Sequence, residues 1–211
     1  VDVAFAVKDV ADFAQRAGLA TVPNAVDFVI WTTTPWTLPA NQAVSLHPEL
    51  VYVVVQADIA GQTRILVLAQ ALYEATLVRY QAENIQVLAE VVGQAFEHVA
   101  LQHPFYERVV PVIVGEHVTA DAGTGAVHTA PGHGQDDFII GKKYDLLVDN
   151  PVDNPVDRLW IIGFWNLSTY SSTIHPHTYP QVNNLYYFLI SITYLTYPQY
   201  PQYYDDYVLY I

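Results

Sequence analysis

The composition of the chain changes abruptly near residue 150, and this change limits how much of it can form one ordinary hydrophobic core. Lys, Glu and His are spread through the first part, whereas Arg158 is the only Lys or Arg after Lys143. The junction carries two consecutive Asn-Pro-Val-Asp units over residues 150–157, and the remainder is dominated by Tyr, Pro, Ile and Leu. We therefore predict a domain over residues 1–153 and a tail over residues 154–211, whose part in completing that domain is left open.

The overall composition is that of a globular chain. A hydrophobic fraction of 52% with 14% charged residues predicts a sizeable core in 211 residues. The formal charge of -13 repels phosphate backbones and no run of Lys or Arg offsets it, so an RNA partner would need contacts elsewhere. The absence of cysteine excludes disulfides, thiolate metal sites and a Cys nucleophile. The longest apolar stretch, residues 185–197, is shorter than the ~20 residues that span a bilayer, so we expect no membrane segment.

Hydrophobic periodicity before the junction predicts many short strands and few helices. Strands are predicted over residues 1–7, 27–32, 51–56, 63–68, 85–92, 109–114 and 125–129. Helices are predicted over residues 9–18, 69–80 and 135–144, and Asp9 is the expected N-cap of the first. This pattern indicates an α+β fold, namely a β-barrel-like domain with short helical insertions.

The first segment that could carry chemistry runs from Trp31 to Asn41, with the sequence Trp-Thr-Thr-Thr-Pro-Trp-Thr-Leu-Pro-Ala-Asn. Here a predicted strand enters a turn that contains two prolines and four threonines. Threonine hydroxyls can bind a ribose, a carbonyl or a water, and tryptophans can form the wall of a small pocket. An ordinary threonine-rich strand with tryptophan in the core explains the pattern equally well.

The second segment is rich in glycine, because residues 115–141 hold six of the ten glycines of the chain. Such density indicates close approach of the backbone to another group. We expect His128 to come off a short strand with an imidazole that titrates near neutral pH, where it could orient a water or an ester. Asp136 and Asp137 begin the following predicted helix, and one of them is expected simply to cap it.

A metal site is a less favoured alternative for the same segment. Its ligands would be His128, His133, Asp136 and Asp137. The His-x3-His spacing of a helix-borne zinc site is absent, and one glycine-rich loop would have to supply every ligand. A phosphate-binding role for residues 123–125 is weaker still, because no Gly-Lys-Ser/Thr follows. The other histidines, His47, His98, His103 and His117, are expected to be structural or surface residues.

Together the two segments resemble the editing domains of isoleucyl-tRNA synthetases, which are class I aminoacyl-tRNA synthetases. Those domains contain the Trp-Thr-Thr-Thr-Pro-Trp-Thr-Leu-Pro-Ala-Asn block and a Gly-Thr-Gly-Ala-Val-His-Thr-Ala-Pro-Gly-His-Gly-x-Asp-Asp block in this order. Residues 34–36 are Thr-Pro-Trp, where the valyl and leucyl enzymes have Arg-Pro, and this favours the isoleucyl branch. The resemblance covers residues 1 to about 153, and residues 154–211 resemble nothing that we recognise.

The resemblance implies a site. The catalytic set would be Thr32, Thr33, Thr34, His128 and Asp137. The substrate-binding set would be Trp36, Asn41, Gly125, Thr129 and Asp136. In this scheme the three threonines surround the terminal adenosine and the aminoacyl ester, His128 limits the size of the side-chain pocket, and Asp137 binds the α-ammonium group.

The implied activity is post-transfer editing, with pre-transfer editing as a further route: hydrolysis of valine wrongly attached to the 3′ end of isoleucine tRNA. The resemblance implies no metal and no organic cofactor. It also implies that the chain is a fragment of a cytoplasmic, ATP-using ligase in protein biosynthesis, with the rest of the synthetase as its partner. The synthetic site is not expected here, because no His-x-Gly-His or Lys-Met-Ser-Lys-Ser pattern occurs. The alternatives are a catalytically inactive tRNA-contacting module and, less favoured, a metal-dependent hydrolase.

Overall fold

The computed structural model describes residues 1–146 and Val208–Leu209. The strands are β1 (Asp2–Val7), β2 (Asp27–Trp31), β3 (Ala43–Leu46), β4 (Val51–Ile59), β5 (Gln62–Ala69), β6 (Glu83–Val92), β7 (Ala100–Gln102), β8 (Val109–Val114), β9 (Ala126–Thr129) and β10 (Val208–Leu209). The helices are α1 (Val10–Arg16), α2 (Tyr73–Arg79) and α3 (Gln135–Lys143), with a first 3₁₀-helix (Pro35–Ala40) and a second (Gly93–Phe96). Apart from β10, the predicted tail 154–211, its boundary at residue 153 and the apolar stretch 185–197 lie outside the described residues. Within them, no helix is long and apolar enough to cross a membrane.

The strands form one mixed sheet in the order β6-β4-β5-β2-β1-β7-β8-β3-β9, and β10 pairs with β1. Strand β8 divides its length between two neighbours, because residues 109–111 pair antiparallel with β7 and residues 112–114 pair parallel with β3. Strand β8 therefore joins the β3–β9 part of the sheet to the rest. Across the described ranges no ladder joins β6 to β9. The α+β class is confirmed, but "barrel-like" is too loose, because the sheet does not close.

The core lies mainly on one side of this sheet. Three phenylalanines from different elements form its centre. The Phe13 and Phe96 rings stack at 5.3 Å, and the edge of each meets Phe28, at 5.9 and 5.4 Å respectively. All three are fully buried. A second cluster lies beneath α2, and a small third one joins Ile140 of α3 to Ile113 and Ala43. The third cluster fixes α3 beside β3 and β8.

Most predicted elements are present, and Asp9 caps α1 as expected, accepting bonds from the Ala11 and Asp12 N–H groups at 3.0 Å. The helix predicted over residues 69–80 starts too early, because it begins at Tyr73. Ala69 is instead the last residue of β5, where its N–H donates to the Thr124 carbonyl at 2.9 Å. Strands β3 and β7 were not predicted, since four and three residues are too few to show a period.

Candidate functional site

The chain turns immediately after β2, and the turn is built from threonine hydroxyls. Thr32 is buried, and its N–H donates to the Val1 carbonyl at 2.9 Å. The Thr34 N–H donates to the Thr32 hydroxyl at 3.0 Å, and the two hydroxyl oxygens lie 3.3 Å apart. Thr33 and Thr34 are exposed. The buried hydroxyl therefore shapes the turn, while the next two residues are open to solvent.

The first 3₁₀-helix follows this turn, with Thr34 at its N-cap and Pro35 at its first position. The hydroxyl and the N–H of Thr37 both donate to the Thr34 carbonyl, at 2.8 and 3.1 Å. Asn41 ends the helix and is completely buried, with its side-chain amide donating to the Ala43 carbonyl at 2.7 Å. Its Oδ1 has no partner among the described residues. Trp36 is 42% exposed, so any wall that it forms faces solvent.

Strand β9 brings His128 against this helix, because β9 pairs antiparallel with β3 and places His128 opposite Val44. The His128 Nε2 lies 3.0 Å from the Thr37 hydroxyl. With the Thr37 hydroxyl proton assigned to the Thr34 carbonyl, Nε2 is the ring nitrogen that carries a proton and donates to Thr37. The buried Nδ1 is then an acceptor, and it has no partner within the described part of the chain.

The protonation state of His128 differs from the expectation. The residue is only 9% exposed, and its burial, helped by His133 and His103, lowers its pKa from 6.5 to about 4. The expectation of titration near neutral pH is therefore wrong, because the sequence could not show how little water reaches the ring. At neutral pH His128 is an uncharged group, to which the Thr37 contact assigns the Nε2-protonated tautomer.

Gly125 and Thr129, at the two ends of β9, make structural contacts. Gly125 has φ +76, and a Cβ added there would lie 2.2 Å from the Ala69 Cβ. Its carbonyl accepts the Tyr52 hydroxyl at 2.7 Å. The buried Thr129 hydroxyl lies 2.6 Å from the Ser45 hydroxyl. These contacts hold β9 in place, and substrate contact by either residue stays a prediction.

Asp137 faces back toward β9 from the first turn of α3. Its Oδ2 accepts the Ala130 N–H at 2.9 Å, two residues after His128. The N-cap position belongs to Gly134 without a side-chain bond, so the expectation that one of the two aspartates caps the helix is wrong: the turn before α3 aims Asp137 at the strand instead. Burial raises the pKa of Asp137, and the Ala130 N–H opposes that rise. Asp136 is exposed and lines a shallow groove of about 330 Å³ beside α3.

The structure thus brings most of the predicted catalytic residues together. A hydrogen-bonded series runs from Thr32 through Thr34 and Thr37 to His128, and Asp137 binds the backbone just beyond it. Trp36 and Asp136 are exposed and lie at the edge of this group of residues. In the described ranges, no group of three or more His, Asp or Glu residues is arranged to hold a metal ion.

Sequence reasoning missed three residues that shape this site. Thr37 lies inside the first segment, and only its place three residues after Thr34 on a proline-started helix could have indicated its role. His103 and Arg108 lie behind the helix and bind its carbonyl groups. His103 was expected to be a structural or surface residue, and its burial confirms the structural alternative.

Comparison with known proteins identifies the family of the chain. The family described as "Leucyl-tRNA synthetase, editing domain" matches residues 22–160. The isoleucine–tRNA ligase of Thiobacillus denitrificans is 59% identical over 153 residues, which are 72% of this chain and 16% of that protein. That of Alcanivorax borkumensis is 55% identical over 171 residues, which are 80% of this chain and 18% of that protein. The chain therefore spans under a fifth of the length of these relatives.

Solved structures show the same fold at low identity. The crystal structure of GlLeuRS-CP1 superposes with a TM-score of 0.55 at 16% identity, covering 71% of this chain and 65% of that one. The editing domain of the Plasmodium falciparum cytosolic leucyl-tRNA synthetase gives 0.57 at 13% identity, covering 68% of this chain and 66% of that one. With the family match extending over most of the described residues, the chain belongs to the editing-domain family of aminoacyl-tRNA synthetases, and within that family it resembles the isoleucyl branch.

Proposed function

We propose that this chain hydrolyses the ester that joins misattached valine to isoleucine tRNA. The observation that carries the proposal is the 3.0 Å contact between the Thr37 hydroxyl and His128 Nε2, which joins the two segments on which the family resemblance rests. Asp137 is held by Ala130 at the same end of β9. A threonine-rich turn, a neutral imidazole and a carboxylate are thus held at one end of β9.

The groups at this end of β9 suit an aminoacyl ester. The Asp137 Oδ2 is occupied by the Ala130 N–H, so Oδ1 is the oxygen that can receive the α-ammonium group of the amino acid. The exposed residues Thr33 and Thr34 offer hydroxyls to the terminal adenosine and the ester. A water oxygen then attacks the ester carbonyl carbon, the bond to the ribose oxygen breaks, and that oxygen takes a proton. Free valine and uncharged tRNA are the products.

The neutral state of His128 fits a role in selecting the side chain. One methylene lets a binding pocket distinguish isoleucine from valine by only ~1–3 kcal/mol, so a second pocket is needed to remove errors. An uncharged ring, fixed by Thr37 and nearly excluded from water, can border an apolar side chain without a strong desolvation cost. Its bulk would admit valine and exclude isoleucine by steric clash.

The charge of the chain limits how it meets tRNA. With a net charge of -13, we propose that it binds the acceptor end weakly and that the rest of the synthetase supplies the main RNA contacts and the ATP-dependent step. We further propose a cytoplasmic location, pre-transfer hydrolysis as an additional activity, and a domain boundary near residue 153.

The test is deacylation of valyl- and isoleucyl-tRNA(Ile) by the purified chain in the presence of EDTA. We expect faster loss of valine than of isoleucine. Asp137→Asn keeps an acceptor for the Ala130 N–H but removes the charge, and we expect it to lower kcat/KM by about 10- to 100-fold, the size of one charge-assisted hydrogen bond. The matched control is Asp12→Asn, because Asp12 is also an acid in the first turn of a helix.

Each other outcome has a defined meaning. Equal loss of both amino acids would contradict the proposed selection. A folded chain that protects tRNA without turnover would establish the inactive tRNA-contacting module. Activity that disappears with EDTA and returns with a divalent ion would establish the metal-dependent hydrolase.

A further inference from the structure

The loop between β7 and β8 holds the first 3₁₀-helix from behind. Arg108 Nη1 donates to the Asn41 carbonyl and Nη2 donates to the Pro39 carbonyl, both at 3.0 Å. His103 Nε2 lies 3.0 Å from the Leu38 carbonyl. Three carbonyl groups at the C-terminal end of this short helix are therefore bound by two side chains from one loop.

This 103–108 loop is itself well fixed. The His103 N–H donates to the Arg108 carbonyl at 2.9 Å, and His103 Nδ1 accepts the N–H groups of Phe105 and Tyr106 at 3.1 and 3.2 Å. These bonds require the proton of His103 to be on Nε2, which donates to Leu38. His103 is 2% exposed, and burial lowers its pKa to about 4, so the ring stays neutral at pH 7. The loop is a rigid support for the helix.

The helix needs such a support because two of its six residues have no N–H to donate. Pro35 and Pro39 lack an N–H, and the helix has poor intrinsic geometry as a 3₁₀ turn. Its middle residue, Thr37, fixes the tautomer of His128. A shift of the helix by a fraction of an ångström would lengthen the 3.0 Å contact between Thr37 and His128 and release that tautomer.

We propose that Arg108, with His103, is a positioning residue for the editing reaction: it holds the first 3₁₀-helix so that Thr37 keeps His128 in the Nε2-protonated form. This inference rests on the proposed function for its effect on activity. Its structural half, the control of the His128 tautomer, can be measured without turnover.

The second 3₁₀-helix offers a matched control. There Arg16 donates through Nη1 to the Ala95 and Glu97 carbonyls, at 3.4 and 2.9 Å. The spacing of these carbonyls along the chain equals that of Pro39 and Asn41. Arg16→Lys therefore removes a guanidinium that contacts two carbonyls through the single nitrogen Nη1, from the same kind of helix but one that carries no predicted site residue.

The experiment compares Arg108→Lys with Arg16→Lys in the full 211-residue chain. Lysine keeps the charge but replaces the planar fork by one nitrogen, so at position 108 it cannot hold the two carbonyls that Nη1 and Nη2 bind separately. Melting temperature and kcat and KM for valyl-tRNA(Ile) are measured for both. The ring nitrogens of His128 are followed by ¹⁵N NMR and assigned with His128→Asn.

We expect Arg108→Lys to lower kcat by about 10- to 100-fold with KM little changed, as for a misplaced catalytic group. We expect its His128 signals to show both tautomers, whereas Arg16→Lys keeps one tautomer and wild-type kcat. An Arg108→Lys chain with a single His128 tautomer and the kcat of Arg16→Lys would overturn the inference. If the wild-type chain proves inactive, the proposed function fails, and the NMR spectra alone still decide the positioning role.

Discussion

The two 3₁₀-helices are built alike and used differently. Each is short, and an arginine from another element binds two of its carbonyls near the C-terminal end. The second helix turns Phe96 into the fully buried aromatic cluster. The first turns Thr37 toward His128, and two of its neighbours, Asn41 and His128, each keep a buried polar atom without a partner among the described residues.

The difference shows that a short 3₁₀-helix bound by an arginine can position either a core side chain or a polar side chain of a candidate site. Around the second helix, apolar contact satisfies every buried ring, so the energy lies in dispersion and burial. Around the first, buried acceptors without partners cost folding free energy unless a ligand or a water binds them. Such unsatisfied groups are common at binding sites, and those of Asn41 and His128 support our proposal that the first helix borders the site.

The largest expected effect is a loss of stability when Phe96 is removed from the second 3₁₀-helix. Phe96→Ala should lower the free energy of unfolding by about 3–5 kcal/mol, because it leaves a cavity between Phe13 and Phe28. Urea unfolding measures this change.

Thr37→Val is the opposite case. We expect it to lower the free energy of unfolding by less than about 1.5 kcal/mol but to cause a clear loss of valine deacylation. If Phe96→Ala instead abolished turnover by the folded fraction, the division between the two helices would be wrong.

The second prediction concerns the start of β9, the strand whose His128 contacts the first 3₁₀-helix. Gly125→Ala should cost about 2–4 kcal/mol, because the added Cβ collides with Ala69 and the φ of +76 disfavours any side chain. Gly61→Ala is the control, since φ there is +78 but nothing lies within 4 Å of the added Cβ. We expect about 1 kcal/mol for the control. Equal melting temperatures for the two variants would contradict the close contact with Ala69.

The smallest expected effect is a loss of stability at mildly acidic pH, which we expect to act on the first 3₁₀-helix before the second. His103 and His128 both contact the first helix, and both have folded-state pKa values lowered to about 4 from 6.5. A lowered histidine pKa means that the unfolded chain binds more protons, so the stability is complete above about pH 6.5 and falls as the pH drops toward 4. Between pH 7 and pH 5.5 we expect a loss of about 1 kcal/mol per histidine.

Hydrogen exchange read by mass spectrometry can locate this loss. Amides of the first 3₁₀-helix should lose protection at pH 5.5, after correction for the intrinsic rate, before those of the second. His128→Asn should reduce the dependence of stability on pH. Equal loss of protection in both helices would show that acid acts on the whole domain and not through these two rings.

Local signals in the sequence predicted local features of the structure well. Asp9 was identified as an N-cap because capping depends on one side chain and the next three residues. Strand β9 and the His128 on it were predicted from a glycine-bracketed run. The family resemblance then grouped the threonine turn, His128 and Asp137, which the structure does bring to one end of β9.

Features that depend on distant packing were not predicted. The pKa of His128 depends on how well β3 and the first 3₁₀-helix exclude water, and no local pattern encodes that burial. Arg108 binds backbone carbonyls, which are the same for every residue type, so its partners leave no trace in the sequence. Asp137 was expected either to cap α3 or to bind an ammonium group. The bond that its carboxylate accepts from the Ala130 N–H depends on the turn before α3.

The position of β3 has a consequence for the order of folding. This strand pairs with β8 and β9. The pairing of Val44 with Val112 and His128 can therefore form only after those later strands have been synthesised. Contacts so distant in sequence close late and slow the folding of a chain. During synthesis, the threonine turn therefore leaves the ribosome long before its partners. We expect the β4–β5 hairpin to gain hydrogen-exchange protection first in pulse labelling and the junction of β3 with β9 only well after it, so that any competence for proofreading appears late in the folding of this domain.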